Sequence, residues 1–119
     1  MTNEEFNEIF RKRTMEFAIR VIKFIESVPF NSATRVLSFQ LGKAGTSVGA
    51  NFRAFCRGRS KNEKFSKICI VVEEADESEY WLEIFSFSDY GDHRELTWLL
   101  KEIKEIIKIT SKVKSKFYP

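Results

Sequence analysis

Residues that break helices are scarce in this sequence, and their scarcity limits the available folds more than any other feature. Only 5 of the 119 residues are glycine and 2 are proline, so few positions favour a tight turn. A sandwich or barrel of short strands needs a turn about every 8–12 residues. We therefore expect a few long helices, with the 12 phenylalanines supplying large side chains for their core.

Apolar residues recur with a period near 3.6 in four long segments, as they do in amphipathic helices. The predicted helices span about 3–27, 34–57, 61–89 and 93–117. Short connections make consecutive helices antiparallel neighbours. The predicted fold class is therefore all-α, an antiparallel up-down-up-down four-helix bundle, with residues 1–119 forming a single domain.

The predicted helix ends carry capping signals. A capping box places a polar side chain at the start of a helix and a carboxylate three residues later. Three pairs fit this spacing: Thr2 with Glu5, Ser60 with Glu63, and Asp92 with Glu95. Gly58 follows the second helix, and we expect it to end that helix in a left-handed conformation.

The second and third helices carry features that a simple bundle does not need. Gly42, Gly45 and Gly49 lie inside the second helix, where each glycine costs about 1 kcal/mol relative to alanine. We therefore expect another helix to approach closely at these positions. The third helix is apolar on more than one side, which is typical of proteins that associate with other copies.

Few side chains are available for catalysis or metal binding. His93 is the single histidine, and Cys56 and Cys69 are the only cysteines. These are too few for a zinc site or a disulfide framework, and we expect both thiols to be buried. The acidic run 73–79 lacks the histidines of a di-iron bundle. We predict no catalytic residue, no metal and no cofactor, and therefore a protein that is not an enzyme.

No signal peptide or membrane span is indicated by the sequence. The first residues are acidic, and the longest purely apolar run, 68–72, is far shorter than the ~20 residues that cross a bilayer. We expect a cytoplasmic protein with no membrane partner.

Charge is strongly segregated along the chain. Residues 35–67 contain eight Lys or Arg and one carboxylate, whereas residues 68–95 contain nine carboxylates and one Arg. Basic side chains neutralise phosphates and supply most of the non-specific affinity for nucleic acids. The candidate nucleic-acid-binding residues are Lys43, Arg53, Arg57, Arg59, Lys61 and Lys64. The alternative is that these cations pair with the acidic third helix, within one chain or between copies. The interleaved Phe52 and Phe55 lie on the core stripe, so they are expected in the core.

Three segments resemble a known family. They are 40–54 (QLGKAGTSVGANFRA), 59–65 (RSKNEKF) and 73–83 (EEADESEYWLE), and in this order they resemble the 23S ribosomal RNA intervening-sequence proteins. The resemblance covers about residues 10–110 and implies an antiparallel four-helix bundle that assembles into a homopentamer. The family is also similar to the accessory proteins of diversity-generating retroelements, which are basic pentamers that bind a reverse transcriptase and nucleic acid.

The resemblance also assigns positions. Thr46, Ser47, Asn51 and Arg53 match the second-helix motif, while Lys43 stands where the family usually has arginine, which would weaken a bidentate pair with a carboxylate. The resemblance implies that the second helix, with its small residues, and the third helix, which is apolar on more than one side, pack between subunits. The expected oligomer-interface residues are Gly45, Gly49, Asn51, Glu74, Glu77 and Trp81.

The sequence therefore predicts a non-enzymatic homo-oligomer, a pentamer as the resemblance implies, that binds structured RNA through basic faces. The alternative is a protein-interaction scaffold or adaptor for a polymerase-like or reverse-transcriptase-like partner. The affinity for RNA without a protein partner distinguishes these two functions. An RNA-binding protein should bind it with steep salt dependence, whereas an adaptor should show almost no affinity.

Overall fold

The computed structural model describes residues 1–118 and contains four α-helices in that range. They are α1 (Asn3–Glu26), α2 (Ser32–Cys56), α3 (Lys61–Ser86) and α4 (His93–Phe117). Each end lies within three residues of the end predicted from the apolar period. The all-α four-helix prediction is therefore confirmed.

Ion pairs between α1 and α4 show that these two helices are antiparallel. Arg13 contacts Glu102, and Arg20 contacts Glu95, so the residue number falls along α4 as it rises along α1. Helix α1 packs on α2 and α4, and α3 packs on the same two helices. The bundle is elongated, with principal extents of 44, 24 and 19 Å.

The core is built from aromatic and aliphatic side chains of all four helices. Burying one such side chain stabilises the fold by about 1.5–3 kcal/mol. Phe52 and Phe55 lie in this core, as predicted, with exposed fractions of 0% and 4%. The largest buried side chains are Phe10, Phe17, Phe24, Phe52, Phe85, Leu41, Ile68, Leu82, Leu96, Leu99, Ile103 and Ile106.

The helix starts follow local capping chemistry, but of the three predicted capping boxes only the first is complete. Thr2 and Glu5 form the complete predicted capping box, and the Ser60 side chain accepts from the amide of Glu63. Asp92 caps α4, but the Glu95 carboxylate does not reach back to it. That carboxylate accepts a hydrogen bond from Arg20 Nε at 2.6 Å instead. A long-range ion pair with Arg20 has replaced the predicted local hydrogen bond to the Asp92 amide.

The prediction for Gly58 is wrong. Among residues 1–118, the positive backbone angle belongs to Gly91, with φ of 84°. A Cβ atom at Gly91 would lie 2.8 Å from the ring of Phe24. Glycine therefore lets the connection between α3 and α4 fold tightly onto α1.

The glycines of α2 allow a close approach by α1 of the same chain. A Cβ atom at Gly45 would lie 3.0 Å from Val21, and one at Gly49 would lie 3.3 Å from the backbone of Thr14. Gly45 is buried by this contact within one chain, and its expected place at an interface between chains stays a prediction. The predicted close approach is real, but it occurs within one bundle.

The two cysteines differ from expectation, because both side chains are half-buried rather than fully enclosed. Partial burial raises the pKa of the Cys56 thiol, since a low-dielectric environment disfavours the thiolate. No helix in residues 1–118 combines the length and apolarity needed to cross a bilayer.

Candidate nucleic-acid-binding groove

The turn between α2 and α3 brings the most basic part of the chain together. Helix α2 ends at Cys56, and α3 begins at Lys61 after the Ser60 cap. The last turns of α2 and the first turns of α3 border an open groove of about 500 Å³. We call it the cationic groove, and its lining residues are Ala50, Arg53, Ala54, Arg57, Arg59, Glu63 and Lys67.

Residue spacing explains why this groove is both open and basic. Arg53 and Arg57 are four residues apart, so they project from the same face of α2. Ala50 and Ala54 lie on that face as well, and their small side chains leave space between the guanidinium groups. Lys67 approaches from α3, and Arg59 from the turn. Two helices and one turn therefore direct four cations to one groove.

These four cations have no ionic partner within the part of the chain that the structure describes. The ion pairs of residues 1–118 involve other side chains, and Glu63 is the one carboxylate among the residues that line the groove. Arg53, Arg57 and Arg59 are exposed, and Lys67 is half-buried. Pairing with the acidic third helix of the same chain, the intrachain form of the alternative, is not observed for them.

Lys64, which was also predicted to bind nucleic acid, contacts the end of α2, and its nucleic-acid role stays a prediction. Its Nζ donates to the carbonyl oxygen of Phe55 at 3.2 Å and lies 5.1 Å from the centre of the Phe55 ring. The Phe55 carbonyl also accepts from the Gly58 amide at 3.1 Å, and a cation at the C-terminus of a helix interacts favourably with the partial negative charge of such carbonyls. Lys64 therefore holds the end of α2 and is not one of the residues that line the cationic groove.

Two other predicted cations lie outside the groove. Lys61 is exposed in the first turn of α3 but does not line it. Lys43 lies ten residues before Arg53 on α2, or about 15 Å along the helix axis. It is close enough to Glu74 to act on that carboxyl, whose pKa is raised first by burial and then by neighbouring Glu77, while Lys43 opposes the rise. Lys43 thus belongs to the surroundings of the acidic face.

The acidic and interface candidates form mainly local contacts. Trp81 Nε1 donates to Glu77 Oε1 at 3.3 Å, and the Trp81 ring packs edge-on against Tyr80 at 5.0 Å. Asn51 Nδ2 donates to the Ser47 carbonyl oxygen at 2.9 Å. Within residues 1–118, no group of three His, Cys, Asp or Glu side chains is placed to hold a metal ion. The role of Asn51, Glu77 and Trp81 at an interface between chains stays a prediction.

Sequence reasoning found three of the groove's cations and missed Lys67. Lys67 lies six residues after Lys61 and belongs to no recognisable sequence motif. The packing of α3 against α2 is what brings it close to Arg53 and Arg57. Helical spacing from the α3 cap could have identified it, since Glu63 and Lys67 are four residues apart and share a face.

Sequence and fold are both similar to known proteins. The model of the family described as 23S rRNA-intervening sequence protein matches residues 7–112. A crystal structure from Bacteroides thetaiotaomicron VPI-5482, described as a protein with unknown function from the S23 ribosomal protein family, matches with a TM-score of 0.80 and 26% sequence identity. That match covers 92% of this chain and 97% of the other chain. Among curated proteins, no sequence matches this chain.

Proposed function

The chain belongs to the family of 23S rRNA-intervening sequence proteins, and on that premise we propose that it is a homo-oligomeric bundle that binds structured RNA through the cationic groove. The proposed role is binding and involves no catalysis. The observation that carries it is the set of four cations, Arg53, Arg57, Arg59 and Lys67, which border one open groove without an ionic partner in residues 1–118.

The chemistry of these side chains suits a phosphodiester backbone. Each arginine presents planar N–H donors that match two phosphate oxygens at once. A lysine adds a point charge that needs no fixed geometry. Binding RNA would release the counterions condensed on its phosphates, and this release supplies affinity that falls as salt concentration rises. The groove needs no large rearrangement for such contacts, because three of its four cations are already exposed.

Exposed apolar side chains on the outer faces of α1 and α2 support the oligomer. Ile19 and Ile22 of α1 are 49% and 44% exposed, and Val36 and Phe39 of α2 are 53% and 65% exposed. Apolar surface of this kind favours association with another chain. We propose five copies, as the family resemblance implies, and light scattering at micromolar concentration should then give the mass of five chains. A stable 14.0 kDa monomer would refute this part of the proposal.

The RNA proposal is tested by removing the four charges together. The variant Arg53→Gln, Arg57→Gln, Arg59→Gln, Lys67→Gln should bind an RNA hairpin at least tenfold more weakly than the unmodified protein at 50 mM salt, as each lost phosphate contact lowers affinity. The matched control changes four exposed lysines of α1 and α4: Lys12→Gln, Lys23→Gln, Lys101→Gln, Lys108→Gln. Equal losses in the two variants would show that only net charge matters, and would exclude the groove as the site.

A second candidate function is favoured by the same exposed apolar side chains. The faces bearing Ile19, Ile22, Val36 and Phe39 could be covered by a polymerase-like protein instead of another copy. An adaptor of this kind should show almost no affinity for bare RNA. The relation to accessory proteins of diversity-generating retroelements stays a prediction that belongs to this candidate.

A further inference from the structure

A second groove opens at the same end of the bundle, between the start of α1 and the end of α4. Ion pairs of Arg13 with Glu102 and of Arg20 with Glu95 hold the two helices together elsewhere along their length. Toward the N-terminus of α1 the helices border a groove of about 670 Å³. That volume lies within the range of about 300–1,000 Å³ typical of small-molecule sites. We call this the terminal groove.

The terminal groove combines aromatic walls with amide groups. Phe6 and Phe117 line it, and both remain half-buried rather than enclosed. The Phe6 ring stacks on Phe10 at 5.4 Å, and the Phe117 ring packs edge-on against Phe55 at 5.4 Å, so packing fixes the positions of both rings. Asn7 also lines the groove, and a side-chain amide offers both a donor and an acceptor to a polar ligand.

The charge of the terminal groove is of one sign. Lys112 and Lys116 line it, both are exposed, and neither forms an ion pair within residues 1–118. Lys64 lines it too, although its Nζ is held by the Phe55 carbonyl. Among residues 1–118, no carboxylate side chain lines the terminal groove. A ligand that fits must therefore be anionic and must also carry an apolar, preferably flat, part.

We propose that the terminal groove receives one unpaired nucleotide of a bound RNA. The base packs against Phe6 and Phe117, its polar edge meets the amide of Asn7, and the adjoining phosphate lies between Lys112 and Lys116. Aromatic side chains hold unpaired bases because every base has a π-face, and bases that leave a helix are the ones proteins can read on their edges.

This inference rests on the proposed RNA function and narrows its substrate class. Both grooves lie at the end of the bundle where α1 and α3 begin and α2 and α4 end. Phe55 and Lys64, from the last turn of α2 and the first turn of α3, line the terminal groove, so its wall adjoins the turn that borders the cationic groove. A single RNA with a paired stem and an unpaired nucleotide could therefore occupy the two grooves together.

The test compares two RNA hairpins that differ only by one unpaired adenosine in the stem. The unmodified protein should bind the bulged hairpin at least about fivefold more tightly, as expected for one stacked base. The variant Phe6→Leu, Phe117→Leu keeps apolar volume but removes both rings, so the two hairpins should bind equally. The matched control, Phe30→Leu with Phe87→Leu, makes the same change at two exposed rings in the connections at the opposite end and should keep the preference.

A second variant guards against loss of folding in the first. Lys112→Gln with Lys116→Gln should reduce the preference for the bulged hairpin, whereas Lys101→Gln with Lys108→Gln should not. Circular dichroism melting of every variant checks that the helices remain.

Equal binding of both hairpins by the unmodified protein would overturn this inference while leaving the RNA function intact. Absence of binding to either hairpin would overturn both. Saturable binding of dodecanoate that the Phe6→Leu, Phe117→Leu variant abolishes, together with equal hairpin affinities, would assign the groove to an acyl chain and also overturn the inference.

Discussion

Arginines lie both at the contact between α1 and α4 and near the turn between α2 and α3. They form ion pairs in the first region and have no ionic partner in the second. At the α1–α4 contact, Arg13 donates to both carboxylate oxygens of Glu102 at 2.8 Å. Arg20 does the same to Glu95, at 2.6 and 3.0 Å, and its guanidinium lies 3.5 Å from the centre of the Trp98 ring. Where α2 ends and this turn begins, Arg53 and Arg57 have no ionic partner in residues 1–118.

The difference separates arginines that hold the fold from arginines that remain available to a ligand. A bidentate, partly buried pair restricts the guanidinium and shields it from solvent. An exposed arginine without a partner keeps all its donors for phosphate. The first kind should therefore affect unfolding and the second kind binding, and each of the following changes challenges that division.

The largest expected effect on stability comes from the paired arginines. The double variant Arg13→Gln, Arg20→Gln removes four charge-assisted hydrogen bonds and strands two half-buried carboxylates. The free energy of unfolding should fall by roughly 2–4 kcal/mol, since partly buried pairs are worth more than exposed ones. Urea unfolding at a fixed protein concentration measures it.

The matched comparison is Arg53→Gln with Arg57→Gln, which should lower stability by less than about 1 kcal/mol because these side chains are exposed and unpaired. If both double variants lose the same free energy of unfolding, the paired arginines do not stabilise the fold more than the unpaired ones.

Lys64 should behave as an intermediate case. Lys64→Met removes the hydrogen bond to the Phe55 carbonyl but keeps the apolar stem, so stability should fall by about 1 kcal/mol. Lys61→Met, at an exposed position one turn earlier, is the control and should leave the melting temperature nearly unchanged. If the two variants melt alike, Lys64 does not hold the end of α2.

The smallest effect is a dependence on pH. The hydrogen bond from Arg20 lowers the pKa of Glu95 below its ordinary value, despite some opposing desolvation. A lowered folded-state pKa stabilises the protein above the unfolded-state pKa, about 4.3 for glutamate, and this stabilisation is lost as pH falls through the folded value. The stability difference between unmodified protein and Arg20→Gln should be constant from about pH 7 to 5 and shrink below about pH 4. A difference that is unchanged at pH 2.5 would contradict this role for the pair.

The fold was predictable from the sequence because its signals are local. The apolar period, the scarcity of glycine and proline, and the Thr2–Glu5 box each act within a few residues, and all indicate the same helices. Gly58 shows where local reasoning fails. A glycine after a helix often takes a positive φ, but here the last carbonyls of α2 are bonded by the backbone amides of Arg57 and Gly58 and by the Lys64 side chain, and the left-handed conformation is not used.

The candidate sites depended on packing, which the sequence could not supply. Arg20 and Glu95 are 75 positions apart, and nothing in the local pattern distinguishes Arg20, which is paired, from Arg57, which is not. Lys67 joins the cationic groove, and Lys112 joins the terminal groove, only because the helices meet at one end of the bundle. Composition predicted a basic surface, but only the fold determined which cations have partners.

The most direct test is the salt dependence of RNA binding by two variants that lose arginines from the two regions. The logarithm of the association constant for an RNA hairpin should be measured against the logarithm of salt concentration between 50 and 200 mM. For Arg53→Gln with Arg57→Gln, the slope should flatten by up to about 0.7–0.9 for each lost phosphate contact. For Arg13→Gln with Arg20→Gln, measured where the protein remains folded, the slope should match that of the unmodified protein. Equal slopes for all three proteins, or flattening only in the second variant, would contradict the assignment of RNA binding to the cationic groove.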